Sequence, residues 1–151
     1  MFTNQAFRTP DIFEQPKVIV RQIPGKRIIA TYDESNIYTD QTTYIINHPE
    51  KDTNELKYLT GILASKLMYY YFSNTMGDNK DLFPKIKRSN LLLLPIPKSN
   101  LPFIEKVNQI LTLKQVDSQT DTSVLEAEID KMVYELYDLT AAEVLIVEGK
   151  S

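Results

Sequence analysis

The chain has 151 residues, 42% of them apolar and 25% charged, the balance expected of a globular domain in water. It has no cysteine, which excludes disulfides, thiolate metal sites and a thiol nucleophile. No window is long and apolar enough to span a bilayer and no signal pattern opens the chain, so no membrane association and a cytoplasmic setting are expected.

The net charge of −3 is unevenly spread. Residues 1–98 carry 13 Lys and Arg against 10 Asp and Glu, a net +3. Residues 99–151 carry 4 against 10, a net −6. A mildly basic front is joined to an acidic tail.

In chain order, residues 1–16 are polar and proline-punctuated and read as a linker or truncated lead-in. "KVIVRQ" and "RIIATYD" flank "IPGK", where Pro24 and Gly25 suit the centre of a type II turn, which predicts a β-hairpin. A turn at "DESN" leads into "IYTDQTTYIIN", rich enough in β-branched and aromatic residues for one or two more strands.

Asp52 with Glu55 three residues on predicts a helix start with a reciprocal acceptor. Leu56, Leu59, Leu63 and Leu67 follow at helical spacing, extending that helix to about Asn74. "NTMGDNKD" reads as a flexible loop, and "LFPKIKRSNLLLLPIP" as one or two strands around a basic cluster. Leu91 to Leu94 reads as a buried strand, with Pro95 and Pro97 ending its pairing along one edge.

Helices return from Ser99. Leu101, Ile104, Val107 and Leu111 share one predicted face. Ser123 and Glu126 suggest a capping box for a helix carrying Leu125, Ile129, Met132, Leu136 and Leu139. Thr140 with Glu143 caps a last short helix that Gly149 is placed to end. The expected fold class is α+β: a small mixed or antiparallel β-sheet module with one packed helix over residues 17–98, followed by a C-terminal helical arm over 99–151.

No catalytic constellation emerges. "PDIFEQPK" superficially resembles a nuclease motif, but Glu14 and Lys17 are three apart with Pro16 between them, so a strand would point them to opposite faces. His48, the only histidine, reads as a turn residue. Asp78 and Asp81 lack the glycine and terminal glutamate of a calcium loop, and no glycines lie at phosphate-loop spacing.

What remains is a set of basic residues interleaved with amide, hydroxyl and aromatic side chains. Lys17, Arg21, Lys26 and Arg27 lie on or beside the first hairpin, and Tyr38, Thr39, Gln41, Thr42 and Thr43 on the next strand. Lys80, Lys85, Lys87 and Arg88 precede the leucine run. Cations of this kind neutralise phosphates, while amides and hydroxyls can read base edges. On composition alone the reading as ordinary exposed residues, whose stems cover apolar surface, is the favoured one.

Three segments carry a resemblance: "KVIVRQIPGKRIIATYDESNIYTDQTTYII", "LKYLTGILASKLMYYYF" and "KIKRSNLLLLPIP". Together they resemble the TaqI-like C-terminal specificity domain, the target recognition domain of adenine-N6 DNA methyltransferases and of fused type IIG restriction–modification enzymes. The tail through "LEAEIDKMVYELYDLTAAEVLIVEG" is also similar to the helical segment ending such proteins. Related half-domains occur in type I specificity subunits. The family commonly has Asn where Ala64 stands. The methyltransferase motifs are not in this sequence, so a fragment or stand-alone remnant of a longer enzyme is expected.

The resemblance implies a non-catalytic DNA sequence-recognition domain. Its partners would be double-stranded DNA and the methyltransferase domain of the parent chain. S-adenosylmethionine would be needed by that domain and no cofactor by this one. The candidate DNA contacts, chosen by chemistry, are Arg21, Lys26, Arg27, Tyr38, Gln41, Thr42, Lys85, Lys87 and Arg88. The alternative reading is a protein-docking or dimerisation module acting through the helical arm without touching DNA.

Overall fold

A computed structural model describes residues 2–3, 9–75 and 84–150. Of the predicted loop at 74–81, residues 76–81, with Asp78, Lys80 and Asp81, lie outside the described residues. The fold is α+β, as expected. Strands β1 (Phe2–Thr3), β2 (Lys17–Arg21), β3 (Ala30–Asp33) and β4 (Thr43–Asn47) form one sheet in the order β1-β4-β2-β3, antiparallel throughout.

Alternation along the strands serves two cores. Val18 and Val20 of β2, with Tyr44 and Ile46 of β4, face the main cluster. Ile19 and Ile45 face the other way, onto Ile12 and Phe13 of a short helix, α1 (Pro10–Phe13). That helix falls within the lead-in read as a linker. Pro10 supplies the preset φ of a first helical position, and burying Ile12 and Phe13 holds the turn in place.

The β2–β3 hairpin forms in register Lys17↔Asp33 to Val20↔Ala30, but not through the expected turn. Gly25 is not in the left-handed region that a type II turn requires of it. Residues 22–29 instead make a longer loop, pulled inward by the fully buried Ile28 and by an ion pair from Arg27 to Asp130. The "DESN" turn is present: the Asp33 carboxylate accepts from Ser35 N–H, Ser35 Oγ and Ile37 N–H, and Asn36 takes φ 61°.

The long helix expected from Asp52 to Asn74 is two: α2 (Thr53–Leu63) and α3 (Lys66–Thr75). Asp52 caps α2 as predicted, accepting from Asn54 and Glu55 N–H. Glu55 does not reciprocate; its carboxylate accepts from the Ser99 hydroxyl. The break falls at Ser65, whose buried hydroxyl donates to Ile62 C=O at 2.7 Å and accepts from Met68 N–H. Asp130 receives Lys66 N–H at 2.9 Å, so a distant carboxylate stabilises the start of α3.

The leucine run is not a strand. Arg88–Leu92 is a short helix, α4, started by Asn90 Oδ1 accepting from Lys87 N–H at 2.8 Å. Leu91 is buried and Leu94 packs on the core three residues later, while Leu92 and Leu93 are 56% and 70% exposed. A strand buried on both faces would have hidden all four leucines and a half-buried one every second, so the period observed is helical. Pro95 and Pro97 donate no hydrogen bond, yet their carbonyls accept from Tyr137 and Tyr58 hydroxyls, which fixes the exit path.

Helices α5 (Leu101–Val116), α6 (Ser123–Leu136) and α7 (Ala141–Val147) pack on the sheet module. Phe103, Ile104 and Val107 of α5 are buried, whereas Leu101, expected on that face, is 66% exposed. The α2–α5 contact passes over Gly61, where an added Cβ would lie 2.6 Å from Phe103 Cε1 and 2.7 Å from Val107 Cγ2. The residue before α6 is Thr122 and not the expected Ser123, which is already helical; the buried Thr122 hydroxyl donates to Glu126 Oε1 at 3.0 Å. Ile129 and Val133 of α6 join the same cluster as Val18 and Val20, so one core spans residues 98 and 99. Thr140 and Glu143 form the predicted capping box, and Gly149 ends α7 at φ 71°.

Candidate nucleic-acid interface

The sheet ends where β2 leaves it. Arg21 pairs with Thr43 as the last rung of β2 and β4, and alternation from Lys17 and Ile19 puts the Arg21 side chain on the α1 face. Gln22 follows and ties three segments together. Its N–H donates to Thr42 C=O at 3.0 Å and its Nε2 to Gln41 C=O at 2.9 Å. Its own C=O accepts Ile86 N–H at 2.7 Å. Ile86 is buried, and its carbonyl accepts the Tyr44 hydroxyl at 3.0 Å, so the Lys85–Lys87 strip is anchored between its two lysines.

This junction gathers most of the residues expected to meet DNA. Arg21, Gln41, Thr42, Lys85 and Lys87 flank the three bonds of Gln22; Lys26 rides on the adjoining hairpin loop and Arg88 follows Lys87. All seven are exposed. Among the described residues, Arg21, Lys26, Lys85, Lys87 and Arg88 make no ion pair. Gln41, Thr42 and Tyr38 stand on the loop before β4 and not on the strand, because Asp40 folds that stretch into a turn by accepting from Thr42 N–H at 2.8 Å and from its hydroxyl.

Two of the expected contacts are placed differently. Arg27 turns inward: its guanidinium grips Asp130 through Nη1 at 3.1 Å and Nη2 at 2.9 Å, and Nη1 also donates to Ala64 C=O. Its charge is neutralised by the acidic helical region, a pairing between residues 103 apart that no local pattern announces. Tyr38 stacks on Phe13 with ring centroids 4.7 Å apart and donates its hydroxyl to Glu14, a bond that raises the phenol's pKa. The residue remains 55% exposed, but its polar end is engaged at α1.

Lys17, also grouped with the basic residues, is completely buried. It donates to Phe13 C=O at 2.7 Å and pairs with Asp33. Burial pushes the Asp33 carboxyl up, but the bonds from Lys17, Ser35 and Ile37 outweigh it and hold the group below its ordinary range. Gln22 and Asp130, the two residues that organise this region, went unnoticed in the sequence, since their partners are distant in the chain.

His48 is the turn residue expected, its Nδ1 accepting from Glu50 and Asp52 N–H. Among the described residues no three His, Asp or Glu side chains are grouped to hold a metal ion, and no helix is long and apolar enough to cross a membrane. The acidic helices take other cations: Lys66 pairs with Glu148 at 2.7 Å and Lys106 with Glu128 at 2.6 Å. The arrangement can therefore hold an anionic polymer against one end of the sheet.

No curated protein matches the chain. A family model, that of the TaqI-like C-terminal specificity domain, matches residues 2–96, from β1 to the proline-bounded segment after α4 and stopping short of α5. With the match covering more than half of the sequence and enclosing the whole cationic end of the sheet, the chain belongs to the TaqI-like C-terminal specificity domain family, DNA-recognition modules of restriction–modification enzymes.

Proposed function

We propose that this chain is the target-recognition domain of a restriction–modification adenine-N6 DNA methyltransferase, binding double-stranded DNA while a methyltransferase domain supplies the chemistry. The reading rests on five exposed cations without acidic partners among the described residues: Arg21, Lys85 and Lys87 beside the three hydrogen bonds of Gln22, Lys26 on the adjoining hairpin loop and Arg88 next after Lys87. Phosphate contacts from these cations would fix the register of the duplex, leaving neighbouring amides and hydroxyls to address base edges. S-adenosylmethionine would belong to the methyltransferase domain. Docking through the helical arm draws less support, since Ile129 and Val133 are already spent on the domain's own core. A cytoplasmic setting, with DNA as partner, accords with this reading.

The test is fluorescence anisotropy with a labelled 30-base-pair random duplex over a range of salt concentrations. Combining Lys85→Gln, Lys87→Gln and Arg88→Gln should flatten the log–log salt dependence by about 0.9 for each phosphate that is no longer neutralised. Lys106→Gln, already ion-paired in the acidic helices, should leave the slope unchanged. No affinity at low salt, or an unaltered slope in the triple variant, would refute the proposal.

A further inference from the structure

Within that binding surface the groups differ in how much chemistry they have left to offer. Thr42 has committed its hydroxyl and its N–H to Asp40, and Gln22 has committed its side-chain NH₂ to Gln41 C=O. The carbonyl of Gln41 is thus held, and the next carbonyl, that of Thr42, is held by Gln22 N–H. Thr43 closes the turn by donating its hydroxyl to Asp40 C=O at 3.1 Å. The backbone under Gln41 is therefore fixed on both sides. Its carboxamide is exposed and meets no hydrogen-bonding group among the described residues.

A carboxamide on a rigid backbone offers a donor and an acceptor at fixed separation. That pair matches adenine in the major groove, with N7 accepting and N6 donating, and matches no other base bidentately in that groove. The setting suits base reading better than phosphate holding, because the cations needed for phosphates stand on either side, Arg21 on β2 and Lys85 and Lys87 beyond Gln22. We infer that Gln41 is a base-reading residue of this domain and that it specifies adenine through the major groove. The inference rests on the DNA-binding reading above and names the residue and base that give it specificity.

The experiment first enriches a preferred duplex from a randomised pool with the wild-type chain, then compares wild type, Gln41→Ala and Gln41→Glu on single-position variants of that duplex. Wild type should lose about 5- to 150-fold in affinity when one particular adenine is replaced, the span of a bidentate contact. 7-Deazaadenine at that position, which lacks the N7 acceptor, should weaken wild type and leave Gln41→Ala indifferent. Gln41→Ala should lose discrimination at that position alone and keep the wild-type salt slope. Undiminished discrimination by Gln41→Ala, or an equal loss on every sequence, would overturn the assignment while leaving DNA binding intact. A wild-type chain that binds DNA but enriches no sequence overturns it too, and one that binds no DNA overturns both readings.

Discussion

The Arg27–Asp130 pair allows a quantitative test because its two ends are unequally buried. The Asp130 side chain is 3% exposed and that of Arg27 31%. Arg27→Met strips the carboxylate of two charged hydrogen bonds, at 3.1 and 2.9 Å, and leaves it only Lys66 N–H. Removing one partner of a buried pair costs about 3–5 kcal/mol, and since Arg27 is a third exposed, the lower end, about 3 kcal/mol, is expected. Asp130→Asn keeps an acceptor for Lys66 N–H and releases Arg27 to water, so about 1–2 kcal/mol is expected from the loss of charge-assisted bonding.

The double variant contains neither charge and should cost less than the sum, with a coupling of at least about 1 kcal/mol. Urea denaturation followed by far-ultraviolet circular dichroism measures all three, urea being chosen because it leaves ion pairs unscreened. Additive costs, or Asp130→Asn costing more than Arg27→Met, would refute the argument. The same variants address function. Arg27→Met should leave the salt slope of DNA affinity unchanged, whereas a drop of about 0.9 would make Arg27 a phosphate contact after all.

Two further outcomes follow from packing and charge. Gly61→Ala should destabilise by up to about 2 kcal/mol in the same urea assay, since overpacking Phe103 and Val107 at 2.6–2.7 Å costs about 1–3 kcal/mol against a gain of ~1 kcal/mol in helix propensity. Hydrogen bonds from Lys66 and then Tyr134 hold the Glu148 carboxyl below its ordinary value of 4.5. Its contribution to stability is therefore complete above pH 4.5 and is lost as pH falls through the lowered value. Urea midpoints measured down to about pH 3 should fall less steeply in Glu148→Gln than in wild type; equal slopes would remove Glu148 from the acid response.

Short-range signals in the sequence set much of the fold. Asp52, Thr140 with Glu143, and Gly149 mark helix ends because a cap needs only a side chain and the backbone within a few residues of it. The "DESN" turn was legible for the same reason, whereas the β2–β3 hairpin was read from a Pro24–Gly25 turn that does not form, its strands pairing across a longer loop. The leucine run misled because four successive apolar residues fit either a strand or a helical turn, and Asn90 capping Lys87 N–H chose the turn. Likewise Leu56 to Phe72 carries one helical stripe, yet Ser65 and Asp130 divide it.

The candidate interface divides in the same way. The sequence by itself determined which chemistry is available: arginines and lysines near the hairpin and before the leucines, with amides and hydroxyls between them. Only the tertiary structure decided which of those charges remain available to a ligand. Arg27 and Lys17 look no different from Arg21 and Lys85 in one dimension, but Asp130 and Asp33 neutralise the first two. An ion pair forms wherever folding brings opposite charges together and removes water, and that depends on residues 16 or 103 positions away.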